Sequence, residues 1–133
     1  MTWPKFFPSL CPPGNSVAAA GTVYRCVRNA PPSRNDFSSH IGRGRKPKPG
    51  ENACDLCGTS VFITLDGVLS AMDRVPALRN KWPNIAKGIL RPELGKISPS
   101  NEDGHKNWWI PSEAEPEKYF NHECTYADKR RAM

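Results

Sequence analysis

The hydrophobic residues of this chain fall in short runs separated by proline, glycine and charged residues, a pattern that favours short strands. β-branched and aromatic residues over positions 21–28 predict a first strand with Val23, Arg25 and Val27 on one face. Further runs predict strands at 60–63, 84–90, 95–98 and 105–110. The last three of these runs are separated by short connections.

One segment has the periodicity of a helix instead. Its apolar positions recur at i, i+3, i+4 and i+7 and are Leu65, Val68, Leu69 and Met72. Thr64 offers an N-cap hydroxyl, and Pro76 breaks or kinks the helix near residue 74. These elements predict an α+β fold, a small single domain whose mostly antiparallel sheet of about five short strands carries one main helix and long Pro/Gly-rich loops. A second, short helix is expected at 115–120.

The 133 residues fit one domain, and their 14 prolines and 10 glycines predict much irregular structure. We expect a Pro-rich leader at 1–20 packed on the body, an α+β domain at 21–121 that contains a loop at 40–50, and a basic tail at 122–133.

Hydrophobic segments and cysteine content indicate the compartment in which the protein works. No window approaches the length that spans a bilayer, and the first ten residues lack an apolar signal-peptide core. Five cysteines is an odd number, which excludes a complete internal disulfide framework. We therefore expect a soluble cytoplasmic protein without a membrane partner, in which thiols stay free or bind metal.

The net charge of +6 is concentrated in two places, the tail and the loop at 40–50. That loop holds Arg43, Arg45, Lys46 and Lys48 and no acid. Residues 43–48 either face nucleic acid or another polyanion, or form a solvated loop that keeps the protein soluble.

Four metal-ligating residues suggest a zinc site. Cys54 and Cys57 have the spacing with which two thiolates grip one zinc ion, and His122 and Cys124 would complete a tetrahedral, structural shell. The alternative is that Cys57 is a small core residue and Cys54 a loop thiol.

Other residues indicate a binding cleft. If Arg25 faces inward, its guanidinium must meet an anion or carbonyl groups, with Asp36 or Asp66 as the structural alternative. His40 and His105 are either acid/base groups and phosphate contacts or ordinary surface histidines. Adjacent Trp108 and Trp109 must point to opposite faces of a strand, which leaves one of them to stack on a base unless the leader covers it.

The order of Arg25 on the first strand, Thr59-Ser60 on the second and Glu113-Ala114-Glu115 after the last resembles the Arg, Ser-x-Ser, Glu-x-Glu ADP-ribosyltransferases. The resemblance implies that Arg25 holds the pyrophosphate of NAD, Ser60 supports the nicotinamide end, and Glu115 stabilises the oxocarbenium-like ribose with Glu113 near the acceptor. The chain departs from that pattern in carrying Gly-Thr-Ser where the family has Ser-Thr-Ser.

The run from residue 21 to 111 also resembles an uncharacterised family of small bacterial proteins, with Val-Tyr-Arg and Trp-Trp-Ile-Pro among its landmarks.

Two hypotheses about function follow from these residues. The first is a nucleotide-handling, ADP-ribosyltransferase-like enzyme of a toxin or defence system that acts on a nucleotide or protein acceptor. Its reaction would use Arg25, Ser60, His105, Glu113 and Glu115, and its NAD contacts would be Arg25, His40, Thr59, Ser60 and Trp109. The second is a non-catalytic basic module, stapled by zinc or not, that binds nucleic acid or a protein.

Overall fold

The chain folds around a single antiparallel sheet. The structure is a computed structural model that describes residues 1–99 and 104–132. Its strands are β1 (Val17–Ala18), β2 (Gly21–Val27), β3 (Thr59–Phe62), β4 (Asn84–Leu90), β5 (Lys96–Ile97), β6 (His105–Trp109) and β7 (Phe120–Thr125). They form a seven-stranded sheet in the order β1-β5-β6-β3-β2-β4-β7, so β2 lies between β3 and β4.

Helical segments fill the connections. The α-helices are α1 (Ala53–Leu56), α2 (Leu65–Arg74), α3 (Pro76–Lys81) and α4 (Tyr126–Arg131), and the 3-10 helices are Arg34–Phe37, Pro92–Leu94 and Pro116–Tyr119. Among the described residues, no helix is long and apolar enough to cross a membrane.

Helix α2 begins and ends as its sequence predicts. The Thr64 hydroxyl accepts a hydrogen bond from the Gly67 backbone N–H at 3.0 Å, which satisfies one of the amides that a helix start leaves without a partner. The helix stops at Arg74, and Pro76 opens α3 as its first residue, where a missing N–H costs nothing. The buried face of α2 packs against one side of the sheet, where the cluster comprises Cys26, Val68, Leu69, Met72 and Ile85.

The main core lies on the opposite side of the sheet. Val23 and Val27 are buried there, as the alternation of β2 predicts, together with the rings of Phe37, Trp108 and Phe120. The ring centroids of Trp108 and Phe120 lie 5.7 Å apart in a stacked arrangement. Arg25 shares this face of β2 and is 9% exposed, so the strand carries a charge into the interior.

The expectation of about five strands is wrong, because the sheet has seven. The additional edge strands are β1, of two residues, and β7, which pairs with β4 and lies partly in the segment expected as a tail. The α+β class holds, with α2 as the longest of the four α-helices in the described part of the chain. The short helix expected near residue 115 is the 3-10 helix Pro116–Tyr119.

A disulfide joins the leader to the body, between Cys11 and Cys54. The expectation that these thiols stay free or bind metal is therefore wrong for this pair. Around the disulfide, Trp109 is 1% exposed and packs with Cys57, while Trp3 and Phe7 of the leader lie against them.

Both adjacent tryptophans are consequently buried, Trp108 in the main core and Trp109 beneath the leader. The Trp109 indole N–H donates to the Cys54 carbonyl oxygen at 2.9 Å. Of the two alternatives that the sequence left open for the pair, the structure has the second, because the leader covers the face of the sheet that Trp109 occupies. Trp109 therefore does not line a binding surface.

We predict that Gly95→Ala destabilises the protein strongly. Gly95 has φ +113, and a Cβ there would lie 2.1 Å from the Trp109 carbonyl oxygen. A side chain in left-handed backbone costs about 1–2 kcal/mol before any clash, so we expect the free energy of unfolding to fall by more than about 2 kcal/mol. Urea denaturation measures this change.

The matched control is Gly14→Ala, since a Cβ at Gly14 would meet nothing within 4 Å. It should leave the stability unchanged or slightly raised. Equal stabilities of the two variants would contradict the close approach of Gly95 to Trp109.

Candidate functional site

A cleft of about 170 Å³ opens where β2 and β3 meet the loop at 38–43 and helix α3. It gathers side chains from segments far apart in the sequence. Its polar lining includes Arg25, His40, Arg43, Thr59, Ser60 and His105, and its apolar wall consists of Cys26, Phe62, Leu78 and Trp82. Five residues predicted for the site, Arg25, His40, Thr59, Ser60 and His105, therefore line one cavity.

Arg25 fills the gap between two diverging strands. β2 and β3 pair at Tyr24 opposite Phe62. Beyond that bridge the Arg25 guanidinium replaces strand pairing as the link between the segments. Its Nη1 donates to the Ser60 carbonyl at 2.7 Å, and its Nε donates to the Asp36 carbonyl at 2.8 Å. The side chain thus satisfies carbonyl groups that would otherwise be buried without donors.

Burial lowers the pKa of Arg25, but an arginine stays protonated at neutral pH, so its charge persists in the interior. Among the described residues Arg25 forms no salt bridge, and its Nη2 has no hydrogen-bond partner. Asp36, one of its predicted partners, contacts Arg25 through a backbone carbonyl. A buried cation compensated by carbonyl dipoles favours an incoming anion.

The Asp36 carboxylate accepts hydrogen bonds from the turn in which it lies. It accepts backbone hydrogen bonds from Arg28 and Ser33, each at 2.8 Å, and a side-chain bond from Asn29 at 3.1 Å. Burial by itself raises the pKa of Asp36, but these bonds outweigh it and the pKa is lowered. The ionised carboxylate therefore fixes the turn whose carbonyl receives Arg25.

Ser60 and His105 form a hydrogen-bonded pair at the cleft. The distance between Ser60 Oγ and His105 Nε2 is 3.0 Å, with the direction of donation set by the histidine tautomer. The Phe62 ring meets the imidazole edge-on at a centroid distance of 5.3 Å, which restricts its orientation. A hydroxyl within reach of an imidazole is the arrangement that proton transfer requires.

Arg43 closes the opposite side of the cleft. Its guanidinium lies 5.4 Å from the centroid of the Trp82 ring and donates to the Ser38 carbonyl at 2.5 Å. Its Nη2 is 3.2 Å from His40 Nδ1. Since a guanidinium only donates, His40 Nδ1 accepts and the ring proton sits on Nε2.

Burial, followed by the charges of Arg43 and Arg45, lowers the pKa of His40. His40 is therefore neutral at pH 7 and presents an N–H donor without adding charge. The two guanidiniums of Arg25 and Arg43 supply the positive charge. None of the described residues that line the cleft is an acid.

The two predicted glutamates lie elsewhere. The Glu113 carboxylate accepts hydrogen bonds from the Thr2 backbone N–H at 3.0 and 3.1 Å, and Glu115 forms a salt bridge with Lys118 at 2.9 Å. Neither residue lines the cleft. Of the residues that the ADP-ribosyltransferase resemblance groups together, Arg25 and Ser60 therefore meet at the cleft, whereas Glu113 and Glu115 do not.

A second cavity of about 250 Å³ adjoins the cleft. Ser38, Ser39 and Thr59 line both cavities and so form the partition between them. The second cavity has aromatic walls from the leader and from Phe37, with Arg34 as its cation.

The four predicted zinc ligands do not meet. Cys54 is in the disulfide, whereas His122 and Cys124 lie on β7 at the far edge of the sheet, where Cys124 is opposite Ile85. The described residues contain no group of three or more His, Cys, Asp or Glu side chains that could hold a metal ion. The predicted zinc shell is thus not formed, because β7 and the 54–57 turn lie on different sides of β2.

The apolar wall of the cleft was not expected from the sequence. Trp82 follows α3 and faces the loop at 38–43 across the cavity, and Cys26 and Phe62 come from the face of the sheet that α2 covers. One signal was present, since His40 and Arg43 are three residues apart and close enough to contact each other in a turn. Nothing local indicates that Trp82 approaches them.

We predict that the stability of Asp36→Asn falls less steeply than that of the wild type as the pH is lowered. The folded pKa of Asp36 is below its unfolded value of about 3.9, so its contribution is present above that pH and is lost as the pH falls through the folded pKa. Urea midpoints measured between about pH 5 and pH 3 should drop less in the variant than in the wild type. The control is Glu123→Gln, at an exposed residue of β7. Parallel pH profiles for Asp36→Asn and the wild type would contradict this role.

No protein family model, no curated protein and no solved structure matches the chain. The geometry of the cleft is consequently the basis for any statement about function. That geometry combines the buried positive charge of Arg25, a serine and histidine pair, and the aromatic rings of Phe62 and Trp82.

Proposed function

We propose that the cleft binds a nucleotide, with a phosphate between Arg25 and Arg43 and the planar ring against the wall formed by Phe62 and Trp82. The observation that carries this proposal is the buried Arg25, whose Nη2 has no partner among the described residues of a cleft without acids. Charge-assisted hydrogen bonds from guanidinium groups to phosphate are among the strongest in proteins.

The aromatic wall supports a ligand with a ring. Trp82 is half-buried, lines the cleft and lies beneath the Arg43 guanidinium. A nucleobase or nicotinamide ring is planar and can stack there, while its phosphate reaches the cations on the same side. Neutral His40 adds an N–H donor for a phosphate or ring oxygen.

The size of the cleft limits the ligand. At about 170 Å³ it is smaller than the pockets of about 300–1,000 Å³ that enclose drug-sized molecules. With the adjoining cavity of about 250 Å³, the combined space of about 420 Å³ falls within that range. A dinucleotide such as NAD would therefore occupy both cavities and cross the partition at Ser38, Ser39 and Thr59.

ADP-ribosyl transfer from NAD remains the specific reaction that the resemblance proposes. Among the titratable and hydroxyl groups that line the cleft, Ser60 and His105 are the pair whose side chains are hydrogen-bonded to each other. Glu115 is paired with Lys118 outside the cleft. We therefore propose that His105 and Ser60 transfer the protons of the reaction and that Arg25 binds the phosphate.

The basic-module hypothesis has less support from the loop itself. Arg45 forms a salt bridge with Glu51 at 2.8 Å. Arg43 lines the cleft but stays exposed, as do Lys46 and Lys48. Three exposed cations without an acidic partner produce a weaker salt dependence than the four that the sequence suggested.

We predict that Arg43→Gln weakens nucleotide binding about 10-fold or more, because a hydrogen bond to a charged group contributes about 1.5–3 kcal/mol. Isothermal titration calorimetry with ADP and with NAD measures the change. The control is Arg91→Gln, which removes the same charge from an exposed residue outside the cleft. Equal affinities of the two variants, or no binding by the wild type, would exclude the proposal.

A separate prediction concerns the reaction. Release of nicotinamide from NAD should fall about 100-fold in His105→Asn, as expected for loss of a positioned acid or base, and should persist in Glu115→Gln. Nicotinamide is quantified by chromatography after equal incubation times. Loss of activity in Glu115→Gln alone would instead assign the reaction to the glutamate.

A further inference from the structure

Three cysteines meet beneath the leader, and one of them, Cys57, lines the second cavity. Cys11 and Cys54 form the disulfide, and the free thiol of Cys57 is 3% exposed in the same cluster. Trp109 packs against all three and holds the Cys54 carbonyl through its indole N–H. A thiol beside a disulfide can attack one of the two disulfide sulfurs once it loses its proton.

The local backbone brings Cys57 close to Cys54. Both belong to the turn of α1, in which the Cys57 backbone N–H donates to the Cys54 carbonyl at 3.1 Å. Residues three apart in a helical turn lie on the same side, with Cβ atoms about 5–6 Å apart. A disulfide needs Cβ atoms about 3.5–4.5 Å apart, so a small adjustment of the turn would allow Cys57 to bond to Cys54.

We propose that the three cysteines form a thiol–disulfide exchange site in which Cys57 competes with Cys11 for Cys54. The Cys57 thiol loses its proton to solvent, and its sulfur attacks Cys54 Sγ. The Cys54–Cys57 bond forms as the Cys11–Cys54 bond breaks, and the departing Cys11 sulfur takes up a proton. The number of disulfides is unchanged, so no external oxidant or reductant is required.

The three cysteines differ in their exposure to solvent. Cys54 is half-buried, whereas Cys11 and Cys57 are buried, so an external thiol also reaches the disulfide at Cys54 first. Burial raises the pKa of Cys57, which keeps its thiol protonated and makes the exchange slow in the folded protein.

The exchange would change how the leader is attached. In the Cys11–Cys54 form the leader is covalently tied to α1, whereas in the Cys54–Cys57 form only noncovalent contacts hold it, among them the packing of Trp3 and Phe7 and the hydrogen bonds from Thr2 to Glu113. Ile41 belongs to the same cluster, and its backbone N–H donates to the Leu56 carbonyl at 3.2 Å. The site is thus linked to the loop that carries His40 and Arg43 into the cleft.

The test is disulfide mapping of the wild-type chain. The protein is incubated for hours with a trace of reduced glutathione, quenched with acid, alkylated with N-ethylmaleimide and digested for mass spectrometry. We expect a Cys54–Cys57 peptide together with alkylated Cys11, alongside the original Cys11–Cys54 pair. Finding only the Cys11–Cys54 pair, with Cys57 alkylated throughout, would overturn the proposal.

Two variants sharpen the result. In Cys11→Ser, oxidised glutathione should yield a Cys54–Cys57 disulfide, because Cys57 displaces glutathione from Cys54; a lasting glutathione adduct on Cys54 would overturn the proposal. The matched control is Cys124→Ser, a free cysteine on β7 outside the cluster, which should exchange like the wild type. A Cys124→Ser protein that no longer exchanges would overturn it as well.

Discussion

The buried guanidinium of Arg25 is the interaction on which the rest of the site depends. It joins three segments, because its own strand β2 carries it, Ser60 of β3 receives Nη1, and the turn at Asp36 receives Nε. An uncompensated charge in the interior would cost several kcal/mol, so these segments must stay in register around it. The same charge, shared with Arg43 at the cleft, makes the cavity suited to anions.

The leader is the second constraint, and it acts through covalent and apolar contacts. The disulfide between Cys11 and Cys54 and the packing of Trp3 and Phe7 cover Trp109, which would otherwise expose a large indole surface. The cover extends over Ile41 at the base of the 38–43 loop. The shape of the cleft therefore depends on a segment that contributes no side chain to it.

Local signals predicted α2, β2 and β4 well. Thr64 and Pro76 bound the helix through short-range bonding and sterics, and the alternation of β2 placed Val23, Arg25 and Val27 inward. The edge strands were missed for a physical reason. β1 has two residues, and β7 has one buried position among six, so neither carries an apolar period that could reveal it.

The sequence by itself determined the central strands and helix α2, and it singled out Arg25, Ser60 and His105 as candidates for one site, because strand and helix periods and residue types are local properties. Tertiary structure decided which of the distant residues meet. It brought Trp82 and Arg43 to the cleft, left Glu115 and the proposed zinc ligands apart, and paired Cys54 with Cys11. Those outcomes depend on strand order and on the path of the leader, which arise from packing over the whole chain and leave no mark in any short window of sequence.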